Sequence, residues 1–331
     1  MIFLRRLFDP FSIAVIVAVL IATLLPAVGR SATVFGGMTH LAIALLFFLH
    51  GARLSRAAIL AGAGHWRLHA LVFACTFVLF PLLVLALKPL ILPLLGETLY
   101  RGMVYLSVLP ATVQSAIAFT SMARGNVPAA ICSAAASSLL GIVLTPLLVM
   151  LLLDMGNSAG GSGIDAVGKI VLQLLVPFLA GHAARHWIGA WVARHQRWLK
   201  FVDQGSILLV VYTAFSDAVS GGLWQLVPAA DLLALALVCT LLLAIVLWAT
   251  QLLALRLGFS TEDCITIVFA GSKKSMATGV PMAQILFAGG AVGPLILPLM
   301  LFHQIQLMVC AALAQHYAQR DDAPAGALDR A

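Results

Sequence analysis

The sequence predicts an all-α membrane protein: about ten transmembrane helices in two inverted five-helix repeats, with discontinuous fourth and ninth spans. Three observations predict it. First, apolar residues make up 62% of the 331 positions and charged residues only 9%, whereas a soluble domain carries roughly 25% charged residues to keep its surface wet. Second, the apolar residues fall into runs of about 20, the length that crosses a ~30 Å hydrocarbon core. Third, the basic residues cluster on alternate connections between those runs, as topology requires.

The spans follow in order, with boundaries loose by a few residues. The first runs from Phe11 to Val28, behind Arg5 and Arg6, and nine further runs argue against a cleaved signal peptide. The second runs from Phe35 to Gly51, and the third from Leu68 to Leu87 with Pro81 inside. The fourth runs from Met103 to Met122 around Pro110, and the fifth from Val127 to Leu153. Gly and Ser then dominate Gly156 to Gly163, a soft linker. The sixth span runs from Val167 to Gly181, the seventh from Phe201 to Ser220 and the eighth from Leu232 to Leu253. The ninth runs from Thr261 to Ala288, the tenth from Val292 to Tyr317, and a polar tail ends the chain. The domain reading is therefore a first repeat over 1–155, a linker over 156–166, a second repeat over 167–317 and a tail over 318–331. Five spans is an odd number, so a repeated unit inserts upside down.

With the N-terminus in the cytoplasm, Arg5, Arg6, Arg53, Arg56, Arg67, Arg124, Arg185, Arg194, Arg197, Lys200, Arg256, Arg320 and Arg330 lie inside. Only Arg30, Lys88, Arg101 and Lys169 lie outside. The bias places the protein in an inner (plasma) membrane with both termini cytoplasmic. The net charge of +7 thus reads as topology, and no charge block points to nucleic acid. Arg185 to Lys200, interleaved with Trp187, Trp191 and Trp198, reads as an amphipathic connector touching membrane lipids at the cytoplasmic interface. The five cysteines are scattered one per run, which fits small buried thiols. Apolar faces look alike whether they meet lipid or another protomer, so a homo-oligomer stays open.

Polar residues concentrate in two spans. The fourth carries Pro110, Thr112, Gln114 and Ser115 and ends in Ala123-Arg124-Gly125-Asn126. The ninth carries Gly271-Ser272-Lys273-Lys274-Ser275, then Thr278-Gly279-Val280-Pro281. These are the fourth spans of their halves, and each pairs small polar residues with helix breakers. Backbone freed by such breaks must be satisfied by protein or by a water-filled cavity. Paired broken helices are the best sequence pointer to a central binding site.

Lys273 and Lys274 are the sharpest signal. A mid-span lysine costs about 2.5–3.5 kcal/mol on insertion scales. No carboxylate falls in the core of a span, and Asp217 comes closest. The lysines therefore meet an anion, meet polar dipoles, or take the place of a bound cation, and a buried lysine can also load and release a proton. Candidate binding residues are Lys273, Lys274, Ser272, Ser275, Thr278, Gln114, Ser115 and Ser137. Ser133, Ser137 and Ser138 in the fifth span also suit helix packing. His50, His303, Gln304 and Gln306 line the cavity or bond across helices. No nucleotide loop, metal motif or nucleophile–base arrangement is present, so the sequence implies no enzyme, no cofactor and no ATP-driven pump.

Four stretches resemble the bile acid:sodium symporter family, in its SBF-like branch. They are Phe47 to Leu54, Ala123 to Asn126, Leu139 to Pro146 and, most specifically, Phe269 to Pro281. The resemblance implies a panel domain of spans 1, 2, 6 and 7 rocking against a core domain of spans 3–5 and 8–10, with spans 4 and 9 unwound and crossing. It implies organic-anion substrates and, in sodium-coupled members, ion ligands from spans 3, 4, 5 and 9. Here the serine of the fourth-span Ser-Asn pair falls at Ser115 but its asparagine at Ala116. The fifth-span hydroxyl ligands fall at Ala130 and Ala134, and the third-span glutamine at Thr76. The ninth-span glutamate falls at Phe269, and the glutamine and asparagine after it at Lys273 and Lys274. The sodium set is largely dismantled, which argues against sodium as a partner.

The reading that follows is a secondary transporter of a small or amphipathic organic anion, working by alternating access without sodium. A second class stays open: a membrane scaffold or regulator of ion or envelope homeostasis with a vestigial site.

Overall fold

The computed structural model describes residues 10–53, 64–153, 163–288 and 292–320. Every regular element among them is a helix. Helix α1 spans Pro10–Leu24 and α2 Arg30–Arg53. Helix α3 spans Trp66–Ala86, with a π-helical segment at Cys75–Leu79. Then come α4 (Lys88–Ser107), α5 (Gln114–Met122) and α6 (Val127–Leu152). The later helices are α7 (Gly163–Arg194), α8 (Gln196–Ser220), a single turn α9 (Leu223–Leu226) and α10 (Ala229–Arg256). Helices α11 (Thr261–Gly271), α12 (Met276–Leu286) and α13 (Val292–Ala318) complete the described chain. Five of these, α2, α3, α6, α10 and α13, are long and apolar enough to cross a membrane.

The expected spans differ from the helices in instructive ways. The fourth and ninth spans are each two helices, parted at Val108–Val113 and Ser272–Ser275. The sixth runs on past Gly181 to Arg194. At about 1.5 Å per residue its 32 residues are longer than a ~30 Å hydrocarbon core is thick. Consequently Arg185 to Lys200 is not a separate connector. It is the end of α7 and the start of α8, joined by a turn at His195, and Trp187, Trp191 and Trp198 are exposed on it. Most of the Gly/Ser linker, Arg5, Arg6, Arg56 and the tail beyond Arg320 lie outside the described residues.

Packing is closest between α2 and α7. A Cβ on Gly51 would lie 1.9 Å from the Phe178 carbonyl oxygen, and one on Gly181 would lie 1.9 Å from that of Phe48. Only residues without a side chain let these backbones meet. Helix α8 packs on α1 and α2, and Thr39 and Thr213 hydroxyls join it to α2 at 2.9 Å. On the other side α13 packs against α4 and α10, while α11 packs against α3, α5, α6 and α10. Local sequence sets the helix starts. The Asn126 carboxamide caps α6 by accepting from Ala129 N–H, and Ser260 caps α11 by accepting from Asp263 N–H. Asn126 also donates to Asp263 at 2.8 Å, tying the two caps together. All five cysteines are buried.

Candidate functional site

The site begins with a break that proline makes. Pro110 has no N–H, so α4 loses a helical donor there. The Ala111 N–H turns instead to Ser137 Oγ at 3.0 Å. Ser107 is thereby left with a carbonyl that neither residue 110 nor 111 can satisfy, and no regular helix resumes until Gln114. Each freed carbonyl finds a distant donor. Val108 O accepts from the Thr145 hydroxyl at 2.8 Å, and Pro110 O accepts from Ser275 N–H at 2.9 Å. That last bond joins the two breaks directly, backbone to backbone, so the chain crosses itself here.

At the second break, α11 ends at Gly271 and α12 starts at Met276. Ser275 caps α12, its hydroxyl accepting from Thr278 N–H at 3.2 Å. The unwound backbone of Lys274 is held by one side chain. Gln306 of α13 accepts from Lys274 N–H through Oε1 and donates Nε2 to Lys274 O, both at 2.9 Å. Gln306 in turn meets His303 Nδ1 at 2.8 Å. Ser272 is buried and bonds back to Val268 O at 2.6 Å.

The two lysines are fully buried but differ in what they touch. Lys274 Nζ donates to Thr76 O and Ser107 O at 2.6 Å and to Leu109 O at 2.9 Å. Three donors meet three acceptors, the full capacity of an ammonium. The Phe80 ring lies 4.2 Å from the same nitrogen. Lys273 Nζ donates to Ser115 O at 3.0 Å and sits 4.0 Å from the Phe119 ring and 5.1 Å from the Phe269 ring. Aromatic faces are attractive to a desolvated cation. The neighbouring lysines thus point to different partners, and neither meets a carboxylate among the described residues.

Beside the crossing lies a cavity of about 1040 Å³. Its deep end is formed by the starts of α5 and α12: Thr112, Val113, Gln114 and Ser115 from one, Ser275, Met276, Ala277 and Thr278 from the other. Leu46, Phe119, Phe178, Ile207 and Leu307 give it apolar walls. Thr112, Ser275 and Thr278 are buried, whereas Met122, Lys200 and Gln315 of the lining are exposed. The cavity therefore opens at the end of the molecule where α1 and α8 start and α2 and α13 finish. Both half-helices turn their N-termini to it, where unpaired N–H groups and the helix dipole give positive potential.

Of the residues singled out from sequence, Gln114, Ser115, Ser275 and Thr278 line this cavity, as do His50 and His303. Lys273, Lys274, Ser272 and Ser137 lie behind the lining, in the crossing itself. Gln306, read from the sequence as lining the cavity or bonding across helices, does the second and braces the break. Three contributors escaped the sequence reading. Thr145 bonds the freed Val108 carbonyl, and nothing in the pattern of the fifth span set it apart. Thr76 acts through its backbone. Asp203 lies only two residues into the expected seventh span, where a carboxylate reads as interfacial. It is buried on the cavity wall and accepts from Arg53 Nη1.

The family model described as the SBF-like CPA transporter family matches residues 9–319. An uncharacterized protein of Pseudomonas aeruginosa is 64% identical over 327 residues, covering 99% of this chain and 98% of that protein. The putative symporter YfeH of Escherichia coli is 56% identical, with 96% of each chain covered. Sodium/bile acid cotransporter 7 of Rattus norvegicus is 31% identical, covering 92% of this chain and 90% of its own.

Proposed function

The chain belongs to the SBF-like CPA transporter family, a multi-pass membrane transporter and not an enzyme, and from that premise we propose that it carries a small or amphipathic organic anion by alternating access without sodium. One observation carries this reading: two half-helix N-termini converge on the deep end of a cavity whose lining is otherwise largely apolar. Oriented N–H groups favour an anionic head, and the apolar walls favour a hydrophobic body. Lys273 adds positive charge one layer behind the lining, through the turn that holds Ser115. The candidate binding set is Gln114, Ser115, Ser275 and Thr278 at the lining, with Ser137, Ser272, Lys273 and Lys274 supporting it.

Sodium fits this site poorly. The freed carbonyls that would face a dissolved cation are taken by Lys274. Ala130, Ala134 and Phe269 stand at positions where the resemblance puts ion ligands, and none of their side chains offers an oxygen. The ten-span inverted-repeat plan, with both termini in the cytoplasm of an inner membrane, supplies the frame. In it the observed cavity faces the cytoplasm, and rocking of α1, α2, α7 and α8 against the remaining helices would expose the crossing to the other side.

The test is thermal stabilisation of detergent-purified protein across a panel of organic anions, with sodium or potassium as counter-ion, followed by uptake into proteoliposomes. A ligand of the folded state raises its stability by mass action. An anion that stabilises wild type equally in both salts, and does so about tenfold more weakly in Thr278→Val and Lys273→Ala, is the expected result. Anion binding that ignores both substitutions, or that requires sodium, overturns the proposal.

A further inference from the structure

The carbonyls around Lys274 are freed by the main chain and not by the lysine. Thr76 sits in the π-helical segment of α3, where Phe80 N–H bonds to Cys75 O five residues back. The donor that would follow in that register is residue 81, a proline without N–H. Thr76 O therefore has no helical donor on either the α or the π register. Ser107 O is left free by Pro110 and by the engagement of Ala111 with Ser137. Leu109 O lies in the non-helical break between α4 and α5. Three main-chain oxygens, one from α3, one from the end of α4 and one from the break after it, thus converge on one point in the protein interior. The group they hold is an ammonium, not a carboxylate-paired side chain.

We infer that this point is a main-chain cation site, and that Lys274 is a cation tethered into it. Its occupant belongs to the chain, so the site is filled whatever ions the solution holds. Shortening the side chain leaves the three carbonyls and a channel the width of an alkyl stem. A small monovalent cation or a slim primary alkylammonium matches both, whereas a bulky quaternary ammonium does not.

The experiment compares wild type, Lys274→Ala and Lys274→Met in matched ionic strength of choline, sodium or propylammonium chloride, reading the melting temperature. No substrate is present, so the outcome is independent of whether the protein carries organic anions. Wild type is expected to melt at the same temperature in all three salts. Lys274→Ala is expected to melt lowest in choline and to recover by about 2–4 °C or more, saturably, in propylammonium or sodium. Lys274→Met, whose side chain fills the stem channel, is expected to stay low in every salt. If Lys274→Ala cannot be purified in choline, the yield of monodisperse protein from extraction in each salt gives the same comparison. Three results overturn the inference: a Lys274→Ala protein indifferent to the cation in both readouts, a Lys274→Met protein as stable as wild type, or saturable stabilisation of wild type by sodium.

Discussion

The two breaks that cross at the centre of this protein are chemical opposites. The first, Val108–Val113, is built around a proline and presents carbonyl oxygens: those of Val108, Leu109 and Pro110, and of Ser107 just before it, all accept bonds from other elements. The second, Ser272–Ser275, presents donors, namely two ammonium groups and the Ser275 N–H. Neither could persist alone in a membrane, because lipid offers no partner to unpaired backbone or to charge. Together they satisfy part of each other's bonding, and Thr76, Ser115, Thr145 and Gln306 of the surrounding helices supply the rest. The lesson is that both lysines bond main-chain carbonyls of the chain itself, while the two helix starts held by the crossing are what line the cavity.

Substitutions can break or sharpen that contrast. The largest effect is expected at Lys274. Replacement by Met leaves three buried carbonyls without a donor, and loss of a buried charged partner costs about 3–5 kcal/mol. A strongly lowered melting temperature and a smaller monodisperse fraction would show it; a wild-type melting curve would mean the carbonyls find other donors. Next comes Gln306→Leu, which removes both bonds to the Lys274 backbone at near-constant volume. Unsatisfied buried groups of this kind cost about 1–3 kcal/mol, and Gln306→Glu should restore only the bond from Lys274 N–H. The smallest effect on stability is expected for Gln114→Ala at the cavity. Its unfolding free energy should stay within about 0.5 kcal/mol of wild type, while affinity for a stabilising anion falls. Equal losses of stability at Gln114 and Gln306 would erase the distinction between lining and crossing.

Much of this was legible in the chain. The positions of both breaks follow from Pro110 and from the Gly271-to-Ser275 run. The basic stretch after Gly181 was misread because its alternation of Trp with Arg and Lys suits an interfacial helix as well as two helix ends. Asp203 was passed over because position along a span does not tell depth beside a cavity.

The sequence by itself determined that the chain is an apolar all-helical protein, that two of its spans break, and that two lysines stand where lipid would not accept them. Only the tertiary structure decided what those lysines do. Their acceptors are main-chain carbonyls of residues 76, 107, 109 and 115. Every residue has a carbonyl, so no side-chain pattern marks these four. At Thr76 and Ser107 the loss of helical donors depends on a π register and on the Ala111–Ser137 contact. Bringing them to Lys274 from 165 to 198 residues away is the work of the crossing.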